Sequence, residues 1–437
     1  MQTFTIIWLG QLISTVGTYM TEFALTLWAW EVTQSATSLA LLTFFSRLVS
    51  IPMTLVAGLI VDRYNRKTLM IVADTIAVVC TILIVILYFT DQLRIWHLYL
   101  TAAINGGAGQ IQSLAYQTSL TLIVPSQHYI RANSMNSSVH YGSSILSPAL
   151  AGMLFPWIGL SGILLIDLLT FGVAIAALFR VHIPQPQIAL KLPTEVALNA
   201  PIRTLYLSFL QVWRQAGLRQ LLVITTLFWF VHDLGNTIYD PMILARTNGN
   251  AQILASTASA AGVGGVLGAI FLTWWGGSNQ RVRSLLVGFI GAGLSKTVFG
   301  LGQGLNVWMP AQFCSSVNFP LINSSETAIW MEKIAPEMQG RIFATNGIVL
   351  QITSAIAALL AGPLVDHMFE PALRRGGLSG FFHHIFGGGA GAGASLLYVL
   401  TALAMVLIGI VGFCLTKLRR IETSPMMTNP NGSDQSL

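Results

Sequence analysis

Ionisable side chains stand inside stretches of this chain that are otherwise apolar: Glu22, Arg47, Asp167, Asp233, Asp240, Lys296 and Glu326. A charge near the centre of a bilayer costs on the order of 2.5–3.5 kcal/mol by insertion scales unless it faces water or a partner. Carboxyl groups kept in such places can take up and release a proton near neutral pH, or meet a cationic group. Glu22 shares a helical stripe with Gln11, Ser14, Thr15, Thr18 and Thr21, which suits the lining of a cavity. It is expected to bind proton or substrate, or to pair with Arg47 of the next span, and the two duties are compatible. Arg47 by itself reads as a structural or gating cation. Asp233 and Asp240 are seven residues apart, two helical turns, and so fall on one face with Asn236 between them. Asp240, followed by Pro241, either lines the cavity or marks the outer end of its helix. Glu326 has Asn318, Asn323, Ser324 and Ser325 around it; a proton-handling role, contact with the amine of a bound molecule, or pairing with Lys296 or Lys333 would each suit it. Asp167 has few polar neighbours in sequence, so a hydrogen bond to the fourth or fifth span is expected. Among the aromatic residues, Tyr141 and Trp229 have polar residues nearby and are the candidates to stack on a flat or lipophilic bound molecule; most others suit packing or an interfacial belt.

The elements that position these groups follow from composition. The chain has 437 residues, 54% hydrophobic and 9% charged, with a mean hydropathy of +0.69. Soluble domains carry about 25% charged residues. About 20 apolar residues cross the hydrocarbon core as a helix, and twelve such segments can be drawn: 3–30, 37–61, 68–89, 96–122, 132–158, 160–182, 218–245, 251–275, 284–303, 306–330, 341–365 and 393–418. The fourth, fifth, tenth and eleventh are the most polar, as expected of cavity-lining helices. Basic residues fall mainly on one side of these spans, which puts both termini in the cytoplasm. Cations near anionic lipids account for the net charge of +6 without a nucleic-acid partner. Residues 1–7 have no Lys or Arg and the first apolar run is long, so it reads as a retained helix and not a cleaved signal. Cys80, Cys314 and Cys414 all lie in spans without paired spacing, which suggests neither disulfide nor metal.

Between the second and third spans runs Gly58-Leu59-Ile60-Val61-Asp62-Arg63-Tyr64-Asn65-Arg66-Lys67. Its charges sit at the water boundary, where they can pair with one another and with helix ends, while Gly58 lets a neighbouring helix approach. Gly58, Asp62, Arg63, Arg66 and Lys67 match the G-x-x-x-D-R-x-x-R-[RK] signature, and Asp74 matches the acid that often follows it. On these residues the chain resembles the major facilitator superfamily. The resemblance implies an all-α integral membrane protein, with twelve transmembrane helices in two pseudo-symmetric six-helix bundles, and a gating role for the motif. Phe45-Ser46-Arg47, Arg131-Ala132-Asn133-Ser134, Trp274-Trp275-Gly276-Gly277 and Gly362-Pro363-Leu364-Val365-Asp366 followed by Phe369-Glu370-Pro371 resemble its drug:proton antiporter branch, which contains macrolide-efflux and enterobactin-exporter proteins. That branch implies export.

Internal duplication agrees: Pro125…Arg131 after the fourth span and Pro336…Arg341 after the tenth each give Pro, a polar half-turn, then Arg opening a helix. Parallel repeats of this kind belong to transporters with a midplane site between halves. The expected division is an N-terminal bundle over 1–182, a cytoplasmic linker over 183–217 with an amphipathic segment near 202–215, a C-terminal bundle over 218–418, and a disordered tail over 419–437. The G-x-G-x-x-A at Gly389, Gly391 and Ala394 follows no strand, and the chain has no Walker sequence, so neither nucleotide binding nor ATP drive is expected. His367, His383 and His384 read better as loop residues than as metal ligands. No H-E-x-x-H, G-x-S-x-G or acid dyad suggests an enzyme. The expected function is secondary active export of a small amphipathic or lipophilic molecule, drug-, macrolide- or siderophore-like. It would be driven by the proton gradient without a cofactor, by a monomer in the bacterial inner membrane. A lipid or lysolipid flippase of the same fold is the alternative, and a membrane sensor or scaffold a distant one.

Overall fold

A computed structural model describes residues 2–181, 194–278, 280–374, 382, 385–387, 389–423 and 426–427. The described residues are overwhelmingly helical. The first half holds α1 (Gln2–Thr33), α2 (Ala36–Arg63), α3 (Arg66–Phe89), α4 (Ile95–Ile123) and α5 (Tyr129–Arg180). Helix α6 (Thr194–Arg214) connects to α7 (Ala216–Thr237), α8 (Tyr239–Arg246), α9 (Ala251–Trp275), α10 (Arg281–Leu301), α11 (Leu305–Lys333) and α12 (Pro336–Pro363). After α13 (Glu370–Arg374) come α14 (Ala392–Cys414), the short α15 (Thr416–Arg419) and a 3-10 turn at Ile421–Thr423 among the described residues.

Local chemistry sets the joints. Ser35 and Asn65 cap α2 and α3 by accepting from the Ser38 and Thr68 amides, satisfying donors that a helix start leaves free. Helix α5 is two spans run together: Gly159 breaks it at φ +62°, a left-handed conformation that glycine adopts without penalty. The seventh span is likewise interrupted, at Ile238, between α7 and α8. Pro363 cannot donate a backbone N–H, and α12 widens beyond it into a π-helical turn, Leu364–Phe369, that carries Asp366.

Helix α1 packs on α5, and α2 on α4, to make one bundle. In the other, α11 lies against α9 and α10, and α14 against α7 and α10. The two bundles meet where α5 faces α9 and α2 faces α12. Each has its own apolar core, and a further cluster is shared across the seam, joining Leu27, Trp30 and Leu39 to Met242, Ile243 and Leu254. Eight helices among the described residues are long and apolar enough to cross a membrane. The eleventh expected span is among them, despite its polar residues. Helices α1, α4 and α11 fall short, and α1 does so because its Gln, Ser and Thr stripe faces a polar cavity.

The tail expected to be disordered from residue 419 is ordered at 419–423 and 426–427. Leu418 and Ile421 are buried, the Glu422 carboxylate accepts from the Val282 amide at the start of α10, and Lys333 donates to the Glu422 carbonyl at 2.7 Å. Met427 is bound to the Lys333 and Ala335 backbone. Residues 424–425 and 428–437 lie outside the described residues.

Candidate transport site

Within the first bundle, α1–α5 surround a cavity of about 580 Å3 lined by Glu22, Arg47, Asp74 and Asp167 among serine, threonine, asparagine and glutamine side chains. Helical spacing along α1 places Gln11, Ser14, Thr15, Thr18, Thr21 and Glu22 on this cavity, as their sequence pattern implied. Glu22 and Arg47 are exposed to it. They do not form the direct ion pair considered above; the ion pairs within 4 Å among the described residues are Glu332 with Arg281 and with Lys333. Glu22 nonetheless lies in the field of Arg47. Asp167 is 1% exposed and accepts from Thr81 of α3 at 3.3 Å, with Thr21 of α1 beside it, so its neighbours come from the third and first spans and not the fourth or fifth. Asp74, assigned from the resemblance to the charged turn, instead points into the cavity. There Gln112 of α4 donates to it at 3.0 Å while also donating to Gln11 of α1 at 3.1 Å.

The second bundle completes a charge row. Arg47 acts electrostatically on Asp233 of α7, as does Lys296 of α10, and Ser354 of α12 lies beside the same carboxylate. Glu22, Arg47, Asp233 and Lys296 therefore alternate in sign across the seam. The buried Lys296 ammonium lies 5.4 Å from the centre of the Tyr398 ring, a cation–π contact that compensates part of its lost hydration. Because the helix is interrupted at Ile238, Asp240 stands in the first turn of α8 and not on one continuous face with Asp233. Asn236 and Asn323 are exposed and make no side-chain hydrogen bond among the described residues.

Glu326 is buried in α11 and pairs with neither lysine. Trp229 donates to its Oε2 at 3.3 Å, and Trp330 and Asn346 stand beside it. Lys296 is drawn to Tyr398, and Lys333, two turns further along α11, is held by Glu332 and the Glu422 carbonyl. His232 sits between Trp229 and Phe319, with ring centres 5.3 and 4.8 Å away, so the surroundings of Trp229 and Glu326 are aromatic. The Tyr141 side chain, His383 and His384 lie outside the described residues.

The seam is fastened at the end opposite the charged turn. The Asp366 carboxylate accepts from the Ser35 hydroxyl at 2.7 Å and from the Thr37 and Ala36 amides at 2.8 and 3.2 Å, so a residue of one bundle caps a helix of the other. Gly362 makes this approach feasible: a Cβ there would stand 2.4 Å from Thr37 Cα. Midway along, the Thr54 hydroxyl donates to Gln351 at 3.3 Å. One turn further, a Cβ at Gly58 would meet nothing within 4 Å, and Asp62 and Arg63 are exposed. The turn's cations do not pair with Asp62. Arg66 donates to the Thr118 carbonyl and Lys67 to the Val181 carbonyl, both at 2.7 Å, near the negative ends of α4 and α5.

Sequence reasoning missed that Asp167 joins the cavity and that Asp366 forms the fastening. The signal for the latter is an acid in the turn after Pro363, a position that the sequence marks only through the family resemblance.

Comparison with known proteins accords with this architecture. The sequence profile of the Major Facilitator Superfamily matches residues 7–358. Macrolide efflux protein A of Streptococcus pyogenes is 26% identical over 369 residues, 84% of this chain and 90% of that protein. Macrolide efflux protein A of Enterococcus faecalis is 26% identical over 303 residues, 68% of this chain and 92% of the relative. Among solved structures, a bacterial homologue of the human lysosomal transporter Spinster, in an inward-facing and unoccupied conformation, superposes with a TM-score of 0.70 at 15% identity, covering 98% of this chain and 99% of that one. A bacterial homologue of the iron transporter ferroportin, inward-facing, gives a TM-score of 0.66 at 15% identity, covering 94% and 98%. With a family profile spanning most of its length and a two-bundle helical fold shared with solved transporters, the chain belongs to the Major Facilitator Superfamily and is a membrane transporter, not an enzyme.

Proposed function

We propose that this protein exports a small amphipathic or lipophilic molecule, drug- or macrolide-like, in exchange for protons. The observation that carries the reading is the row Glu22, Arg47, Asp233 and Lys296, which crosses the seam between bundles that rocking would open and close. Each carboxylate beside a cation can give up that cation's attraction on taking a proton or a cargo group. Proton and cargo then compete for one site, which is what antiport requires. The bundles, 1–182 and 218–418 joined through 183–217, rock about this row by alternating access. Arg47 helps gate the path; Glu326 and Asp240 are further acids for coupling, and Trp229, Asn236 and Asn323 line the route of the cargo. Both termini face the cytoplasm of a bacterial cell, on the basic side of the membrane, and the protein works as a monomer. In that orientation the Asp366 fastening closes the outside and the charged turn opens inward.

The test is proton release from the purified protein on adding macrolides, siderophores and lipophilic cations. Cargo-linked release that is lost in Glu22→Gln or Asp233→Asn is the expected result. Release unchanged in both variants would remove these acids from coupling, and no release with any compound would remove proton antiport.

A groove gives a second reading some weight. Between α5, α9 and α11 lies an opening of about 860 Å3 lined by Ala149, Gly152, Met153, Ala255, Val263 and Phe313 among others. Its serines spend their hydroxyls on backbone carbonyls, Ser256 on Gln252 and Ser259 on Ile145, so the surface is apolar. A lipid flippase would use such a lateral opening. Movement of a fluorescent lysolipid between leaflets of proteoliposomes, absent from protein-free vesicles, would favour it over export.

A further inference from the structure

Helix α6 has one face packed and another uncovered. It touches α7 and α12 of one bundle and α2 of the other, and buries Ser208 and Val212. Arg203, Tyr206, Leu207, Trp213 and Arg214 recur at three, four, ten and eleven residues from the first, which at 3.6 residues per turn gathers them on a single side. All five are exposed, Tyr206 by 61%, Leu207 by 49% and Trp213 by 41%. Phe209 stacks on Trp213 with ring centres 5.5 Å apart, and the Arg219 guanidinium at the start of α7 lies 5.9 Å from the Trp213 ring. No acidic residue occurs between Glu195 and Asp233, so the three arginines are uncompensated along this stretch.

A stripe of aromatic and aliphatic side chains flanked by arginine is poorly suited to water. It suits the boundary between lipid headgroups and acyl chains, where rings enter the apolar layer and guanidinium groups reach the phosphate plane. Arginine's fork of donors matches a phosphate. We propose that this face of α6, with Arg203, Arg214 and Arg219, docks on an anionic phospholipid: the arginines hold the phosphate, and Tyr206, Leu207 and Trp213 enter the acyl boundary. Because α6 touches both α2 and α12, the docked lipid bears on the seam at the end where a Cβ at Gly58 would meet nothing within 4 Å. This inference is independent of the cargo and of proton coupling.

The full-length protein is placed in phosphatidylcholine nanodiscs containing a quarter of brominated phosphatidylglycerol or brominated phosphatidylcholine. Quenching assigned to Trp213 is the difference between the protein and its Trp213→Phe variant. The brominated anionic lipid is expected to quench Trp213 more strongly, with each arginine contributing about fivefold to the preference. The preference should vanish in Arg203→Gln/Arg214→Gln/Arg219→Gln and survive in the corresponding triple lysine variant. Should the triple glutamine variant fail to fold, Arg214→Gln alone, on an exposed side chain, should lower the preference about fivefold. Equal quenching by both lipids, or a preference that persists in the glutamine variants, overturns the proposal. So does an absence of quenching by either lipid, which would mean that protein and not lipid covers this face.

Discussion

Replacing Asp366 by alanine should loosen the seam at one end only. The side chain accepts two backbone amides at the start of α2 and the Ser35 hydroxyl, and it sits at the positive end of that helix. A hydrogen bond to a charged group is worth about 1.5–3 kcal/mol net, and the helix end adds about 0.3–1 kcal/mol. The site is only partly buried, so water will replace some of these bonds in the variant. A net loss of about 2 kcal/mol follows, which raises the ratio of parted to fastened ends about 30-fold. Asp366→Asn keeps an oxygen acceptor but not the charge, and neutral bonds are about half as strong, so its effect should be about half in free energy. Spin labels at Gln34 and Met368, both exposed, report the distance across this end. Cys314 and Cys414 are also exposed and must first be replaced by alanine. Pulsed electron spin measurements should then show a second, longer distance growing in the order wild type, asparagine, alanine. Identical distance distributions in all three folded proteins would refute the argument that Asp366 holds the bundles together.

The neighbouring Gly362→Ala places a methyl group against the Thr37 backbone, with an overpacking cost of about 1–3 kcal/mol, and should part the same end in the same label experiment. Glu422→Ala removes the acceptor for the Val282 amide; a loss of about 1 kcal/mol, typical of a helix cap, should appear as faster hydrogen exchange at residues 416–427 and at the start of α10. Trp229→Phe keeps a ring in place but removes the indole N–H that donates to Glu326 Oε2, and thermal unfolding in detergent should register about 1–3 kcal/mol of lost stability.

Much of this fold is legible in the chain, because a bilayer leaves few choices. Backbone groups in hydrocarbon must be satisfied within the span, so a long apolar run becomes a helix. The segment read as 251–275 is α9 residue for residue, and most other expected spans agree with the helices to within a few residues. The polar stripe around Glu22 announced a cavity because helical periodicity decides which side chains share a face. Periodicity stops at the helix, however, and the partners across helices depend on how the bundles are packed. Glu22 and Arg47 face one cavity without touching, Asp74 turns inward to Gln112, and Glu326 takes a tryptophan when two lysines were available in sequence. The interruption at Ile238, which parts Asp233 from Asp240, is a break in backbone geometry that a seven-residue spacing does not reveal. The sequence by itself determined helices, their polar faces and the positions of the charges. Tertiary structure decided which charge answers which, and that Asp366, 330 residues from Ala36 along the chain, would cap its helix: a carboxylate's partner is fixed by distance in space, which only packing supplies.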